Sequence, residues 1–294
     1  MVKTQQRDKQ PSAGFGVAAL QLALDHGDNL DAIAEEVEAV CRRLPWVRMV
    51  VLPELCVFGA GLARAQALPG PAEQRLCHIA RRHGIWLVPG SLYEKSGELI
   101  HNTAPVIDPD GNVVGRYRKM FPFMPYEQGV TPGGEFLVFD VPAVGRFGVS
   151  ICYDMSFPET TRSLCSLGAE VILHPTMTYT IDRDVELSIA RASASTNQCY
   201  FVDVNVAGHL GTGRSVICGP GGEVIHQAGN GREVITFEID FDYLRRVRER
   251  GWHGTGQLLK SFRDSQVTFP AYGAGVAPSE SLSRLGPLAL PEAD

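Results

Sequence analysis

Arg146-Phe147-Gly148-Val149-Ser150-Ile151-Cys152-Tyr153-Asp154-Met155-Ser156-Phe157-Pro158-Glu159 is the stretch on which the reading of this chain turns. Its first half is rich in β-preferring residues, and Pro158 is a normal start signal for a helix. The spacing predicts a strand over Arg146–Cys152, a tight turn, and a helix over Pro158–Leu167. Cys152 sits at the strand's end, on the turn. A strand-to-helix elbow presents its residue with backbone N–H groups close by, which suits a nucleophile. Taken alone, the stretch fits a core cysteine equally well. It is not Gly-x-Ser-x-Gly, because its last position is Cys152.

Outward from the elbow, short apolar runs alternate with helical patterns. Gly14–Ala23 reads as a first strand, and Val47–Pro53 as one buried on both faces. Leu30, Ile33, Ala34, Val37, Val40, Cys41 and Leu44 recur at three- and four-residue steps, a helix with Asp28 as its N-cap. Ala72–Gly84 reads as a second helix and Ile85–Leu92 as another buried strand. Turn chemistry predicts three hairpins, because Gly accepts positive φ and Pro punctuates the run. They are Asn102–Ile107 with Val113–Tyr117, Phe136–Val141 with Arg146–Cys152, and Ser215–Gly219 with Glu223–Ala228. Val171–His174, Tyr200–Ala207 and Val234–Ile239 read as strands, Arg183–Gln198 as a helix, and Phe241 opens a charged helix. Strand–helix units interleaved with hairpins predict an α/β fold with a mixed sheet, or two sheets, covered by helices.

Composition excludes several classes. The 294 residues are 44% hydrophobic and 20% charged, with a formal net charge of −6. No basic stripe of a nucleic-acid binder appears. Arg245, Arg246, Arg248 and Arg250 form the densest basic run and read as a solvated helix face. No apolar run approaches the ~18 residues of a membrane span. Met1–Ser12 lacks the apolar stretch of a signal peptide and reads as a disordered leader. Seven cysteines in hydrophobic surroundings fit reduced thiols in a cytoplasm. Cys41, Cys165, Cys199 and Cys218 read as core residues, and Cys56 as packing. His78 and His83 lack metal-ligand spacing, and no Cys-x-x-Cys occurs. Gly14-Phe15-Gly16-Val17-Ala18-Ala19 starts a strand instead of following one, so it is no dinucleotide fingerprint.

Two further stretches carry chemistry. Val50-Val51-Leu52-Pro53-Glu54 ends a buried strand in a carboxylate, at the place where α/β proteins set their ligands. Gly115-Arg116-Tyr117-Arg118-Lys119 runs into Met120-Phe121-Pro122-Phe123, an apolar segment beside a lysine. Singly, these fit a surface glutamate and a solvated lysine. Together with Cys152-Tyr153-Asp154 and Phe157-Pro158-Glu159, their order and flanks resemble the nitrilase, or carbon–nitrogen hydrolase, superfamily. Tyr126-Glu127-Gln128-Gly129 with Pro132-Gly133 extends the match. So do Ala190-Arg191-Ala192, Asn197–Asn205, Gly213-Arg214-Ser215 and Pro220-Gly221-Gly222.

The resemblance implies a catalytic triad of Glu54, Lys119 and Cys152. Glu54 would act as general base, Cys152 as nucleophile, and Lys119 with the Tyr153 N–H as oxyanion donors. Glu127 would orient Lys119 or bind the substrate amino group. No metal or organic cofactor is implied. The implied fold is a four-layer α-β-β-α sandwich with two mixed sheets, pairing into a homodimer or higher oligomer through outer helices such as Pro158–Leu167 and Arg183–Gln198. Residues 13–270 would form the catalytic domain, and 271–294 a tail or oligomer arm.

Tyr153 and Asp154 after the nucleophile resemble the amidase and carbamoylase branches more than the nitrile-hydrolysing one. Met155 and Ser156 stand where members acting on carboxylate-bearing substrates often place Arg, and neither makes a bidentate carboxylate contact. A pocket near Tyr126, Tyr153, Met177 and Tyr179 would be apolar with polar tips. The expected activity is hydrolysis of a neutral small amide through a cysteine thioester. The alternatives are an N-carbamoyl amino acid or ω-amide hydrolase, a nitrilase, an acyltransferase, or a catalytically silent relative.

Overall fold

The structure is a computed structural model that describes residues 14–272 and 279–289. The expected leader over 1–12, and residues 273–278 and 290–294 of the expected tail, lie outside the described residues. The chain opens with β1 (Phe15–Gln21), the short β2 (Ala23–Leu24), α1 (Leu30–Arg43) and β3 (Val47–Val51). Then come α2 (Pro71–His83), β4 (Trp86–Val88), β5 (Leu92–Ser96), β6 (Leu99–Ile107) and β7 (Val113–Arg118). The second half runs β8 (Leu137–Val141), β9 (Gly145–Val149), α3 (Pro158–Ser166), β10 (Val171–Thr176), α4 (Arg183–Asn197) and β11 (Tyr200–Asn205). It closes with β12 (Ala207–Gly208), β13 (Val216–Cys218), β14 (Val224–Gln227), β15 (Glu233–Ile239) and α5 (Phe241–Arg250).

Two mixed sheets result. One has the order β15-β1-β3-β4-β6-β5, with β7 also paired to β6, and the other β14-β13-β11-β10-β9-β8. Period-two alternation sorts the side chains into layers. Val17, Ala19, Met49 and Val51 face inward and meet Phe147, Val149, Leu173 and Val202 of the second sheet. Their neighbours Ala18, Leu20 and Val50 face outward onto Ile33 and Val37 of α1 and Leu76 of α2. On the far side, Leu164 of α3 and Leu187 and Ala190 of α4 pack on Ile172 and Phe201. The molecule is thus a four-layer α-β-β-α sandwich.

β1, β3 and β4 run parallel, as do β9, β10 and β11. The Glu54 N–H donates to the Thr176 carbonyl at 3.3 Å, joining the loop after β3 to the end of β10. Parallel strands of both sheets therefore end at one rim, and that rim carries the candidate site.

Several expectations are corrected. Ile85–Leu92 is not one strand: Gly90 breaks it at φ +71°, because a Cβ there would sit 1.7 Å from the Pro53 carbonyl oxygen. Strand β9 ends at Val149, so Cys152 lies beyond it, opening a 3-10 turn over Cys152–Ser156. Asn29, not Asp28, holds the N-cap of α1, while Asp28 Oδ1 accepts the Leu30 N–H at 3.0 Å. Arg248 is not simply solvated: it donates to the carbonyls of Gln198 (2.8 Å) and Ala169 (2.6 Å), tying α5 to the second sheet.

Gly90 lets the chain pass against the residue that precedes Glu54. Gly90→Ala adds both a left-handed backbone penalty and an overlap with backbone, and should cost about 3 kcal/mol in urea denaturation. A variant as stable as the parent would contradict this packing.

Candidate active site

Alternation along β7 sets the first part of the site. Arg116 and Arg118 point outward to Glu73 and Glu94, at 2.7 and 2.6 Å, while Tyr117 and then Lys119 point inward. The Lys119 N–H donates to the Asn102 carbonyl and its own carbonyl accepts from Gly133, both at 2.8 Å, so the backbone is held on both sides. Its side chain is 1% exposed. Nζ donates to Glu54 Oε1 at 2.9 Å and to Glu127 Oε2 at 2.7 Å. Asn102 Nδ2 donates to Glu54 Oε1 at 2.8 Å and to Glu127 Oε1 at 3.3 Å. Tyr93 Oη and the Phe123 N–H complete the shell of Glu127.

Cys152 lies on the facing sheet's rim with φ +45°, a conformation non-glycine residues rarely adopt. Its Sγ is 3.9 Å from Thr178 Oγ1, which donates to Glu186 Oε1 at 2.8 Å. Asp154 ties the two halves of the site together. Its carboxylate accepts from Tyr117 Oη (2.7 Å), the Phe121 N–H (2.9 Å) and the Ile151 N–H (2.8 Å). One buried carboxylate thus spans the lysine segment and the cysteine elbow.

The electrostatics follow from burial and pairing. Burial pushes the Glu54 carboxyl up; Lys119 opposes this, Glu127 adds to it, and a hydrogen bond from the Cys152 thiol favours the carboxylate. Burial also raises Glu127, but Lys119, Phe123 N–H and Asn102 outweigh it and hold that carboxyl below its usual range. Burial alone would lower Lys119, yet Glu54, Cys152 and Glu127 keep it well above an ordinary lysine. Burial and the Glu54 charge push the Cys152 thiol well up, with Lys119 only partly opposing. The resting set is a charged lysine between two carboxyl groups, next to a protonated thiol.

These groups open onto a cavity of about 470 Å³. Glu54, Lys119, Glu127, Cys152, Tyr126, Tyr153, Met177 and Tyr179 all line it. Tyr126 and Tyr179 stand on the rim, 61% and 70% exposed. Met177 both lines the cavity and packs against the core. Of the two positions singled out for a missing Arg, Ser156 lines the cavity, whereas Met155 is buried under α3 and α4. Cys56 is a packing residue, its thiol donating to the Pro89 carbonyl at 3.2 Å. Gly251–Gly254 does not reach the cavity; Trp252 packs on the Gly221 turn instead.

Sequence reasoning missed Asn102, Asp154, Thr178 and Glu186. A buried amide inside the apolar Asn102–Ile107 run was a usable signal for the first. Asp154 was read only as a marker of branch. Thr178 and Glu186 gave no signal, since what places them at the site is the Thr178 contact with Cys152, 26 residues away.

The family profile described as carbon-nitrogen hydrolase matches residues 16–249. Among curated relatives, "Omega-amidase NIT2" of Xenopus tropicalis is 33% identical over 203 residues, covering 63% of this chain and 72% of the relative. Its Danio rerio counterpart is 32% identical over 259 residues, covering 80% and 92%. Among solved structures, Saccharomyces cerevisiae Nit3, described as a member of branch 10 of the nitrilase superfamily, superposes with TM-score 0.75 at 28% identity, covering 83% of this chain and 96% of its own. A cysteine-to-alanine mutant of the amidase from Nesterenkonia sp. AN1, in complex with butyramide, superposes with TM-score 0.71 at 27% identity, covering 80% and 95%. Another structure of that amidase records Michael addition of acrylamide at its active-site cysteine.

Burial raises Asp154 from 3.8 to about 6 despite its three donors. A carboxyl raised in the folded state contributes stability that is full below its unfolded pKa and lost as pH rises through the folded one. Between pH 4 and pH 7 the parent should therefore lose about 2 kcal/mol of unfolding free energy that Asp154→Asn does not lose. Denaturation of both proteins at the two pH values checks this; parallel pH dependences would contradict it.

Proposed function

The chain belongs to the carbon–nitrogen hydrolase family, and from that premise we propose that it is an amidase working through a Cys152 thioester. The observation that carries the reading is the Lys119 ammonium, shared at 2.9 and 2.7 Å between Glu54 and Glu127 in the cavity that Cys152 enters. A buried lysine held this way is a fixed positive point beside a thiol and a carboxylate.

The steps follow from those charges. The thiol is protonated at rest, so attack on an amide carbonyl needs a base, and Glu54 takes the proton as sulfur bonds to carbon. Negative charge then develops on the carbonyl oxygen. Lys119 Nζ faces it, together with the Tyr153 N–H, since the first N–H groups of a helical turn lack intrahelical acceptors. Glu54 returns its proton to the leaving nitrogen, and ammonia or an amine departs from a thioester. Water, deprotonated by the same carboxylate, releases the acid and restores the thiol. Glu127 holds Lys119 in place and leaves Glu54 free to shuttle the proton.

A short amide without a carboxylate at its far end suits the cavity's lining. The butyramide complex of the Nesterenkonia amidase supports an aliphatic primary amide. The ω-amidase names of the curated relatives favour a second reading, a substrate whose far end is a carboxylate. Ser156 in the wall, in place of a guanidinium, weighs against it. N-carbamoyl amino acids meet the same objection. Transfer of the acyl group to an amine differs only in the second step, and product analysis with added amine separates it from hydrolysis. Pairing between copies belongs to the same reading: α3 and α4 spend their apolar faces on their own sheet, but Leu167, Ile181 and Val185 remain exposed beside them.

Ammonia release from butyramide tests the core of this account. Cys152→Ala, Lys119→Ala and Glu54→Gln should each reduce kcat by about a thousandfold or more, with circular dichroism spectra like the parent's. Parent-like activity in Cys152→Ala sinks the mechanism.

A further inference from the structure

We infer that the cavity selects amides whose far end carries a protonated amine. The inference rests on the amidase reading above and names its substrate class. Beyond Glu54, Lys119 and Glu127, the carboxyl-bearing or basic side chains among the described lining residues are Asp182 and Glu186, both acids. Among the described lining residues, Lys119 is the one cation, and it is already engaged by two carboxylates.

The neighbouring guanidiniums do not neutralise this wall. Arg183 is 2% exposed and meets Asp203 at 2.6 Å as well as Glu186 at 3.0 Å, one cation facing two acids. Arg214 is turned to Asp184, at 2.7 Å. Asp182 precedes α4, where an acid commonly caps the helix or meets its dipole. Here its side chain caps no helix N–H; Oδ2 accepts from Thr180 Oγ1 at 3.0 Å and the carboxylate stays at the cavity wall.

The remaining wall suits the same ligand. Phe123 stacks on Tyr126 with ring centroids 5.0 Å apart and meets the Tyr153 ring edge-on at 5.0 Å. Aromatic faces beside carboxylates attract an ammonium and offer a carboxylate nothing. Glu186 lies one hydroxyl away from the nucleophile, through Thr178, so a chain of a few carbons separates the reacting carbonyl from the acidic wall.

The test is kcat/KM for ammonia release from hexanamide, 5-aminopentanamide and adipamate, which share chain length and differ at the far end. We expect 5-aminopentanamide to exceed hexanamide by about tenfold and adipamate by about a hundredfold. The ratio of 5-aminopentanamide to hexanamide should fall about threefold in Asp182→Asn and again in Glu186→Gln, hold in Asp182→Glu, and shrink in high salt. Equal rates on hexanamide and 5-aminopentanamide overturn the inference and leave the amidase reading standing, as does a preference for adipamate. No Cys152-dependent release from any of the three overturns both.

Discussion

One ammonium shielded from water organises this molecule. Lys119 is 1% exposed, yet it carries a full charge between Glu54 and Glu127. Removing either partner of such a pair leaves a buried charge uncompensated, at a cost of roughly 3–5 kcal/mol. The arrangement therefore constrains everything around it. Strand β3 has to end where Glu54 reaches the lysine, and β7 where Lys119 turns inward. The Phe121–Gly129 segment has to fold back so that Glu127 and the Phe123 N–H meet. Asn102 donates to both carboxyl groups and links them.

The same charges set the chemistry. Lys119 favours a thiolate at Cys152, but Glu54 and burial disfavour it more, so the sulfur holds its proton at rest. In the proposed mechanism the thiol becomes a nucleophile only as Glu54 takes that proton, which couples deprotonation to attack. Asp154 fixes the geometry for that step by gripping Tyr117 and Phe121 on one side and Ile151 on the other. The left-handed backbone at Cys152 is strain that these bonds hold in place.

Much of this was legible in the sequence, for local reasons. A carboxylate after Val50-Val51-Leu52-Pro53, a lysine at the end of an alternating hairpin strand, and a cysteine before a Pro-started helix are each ambiguous alone, and their order and flanks together carry the resemblance. Hairpin turns and helical stripes are short-range signals, so an α/β fold with helix-covered sheets was legible too; the four-layer sandwich came from the family resemblance. What escaped depends on distant partners. Asp154 means little until Tyr117 and Phe121 fold against it. Arg183 reads as the first residue of a helix, and only the fold reveals Asp203 beneath it. Gly90 lay inside an apolar run, and its reason for breaking that run is the Pro53 carbonyl. Arg248 sat in a basic cluster that looked solvated, while the carbonyls it caps belong to residues 79 and 50 positions away.

The central claim is that Cys152 carries the acyl group while Glu54 moves the proton. Intact-protein and peptide mass spectrometry after rapid acid quench of a reaction with butyramide tests it most directly. The account predicts a mass increase equal to the butyryl group, mapped to the peptide containing Cys152, present in the parent and lost in Cys152→Ala. Amide hydrolysis with no adduct, or with the adduct on another residue, would contradict it.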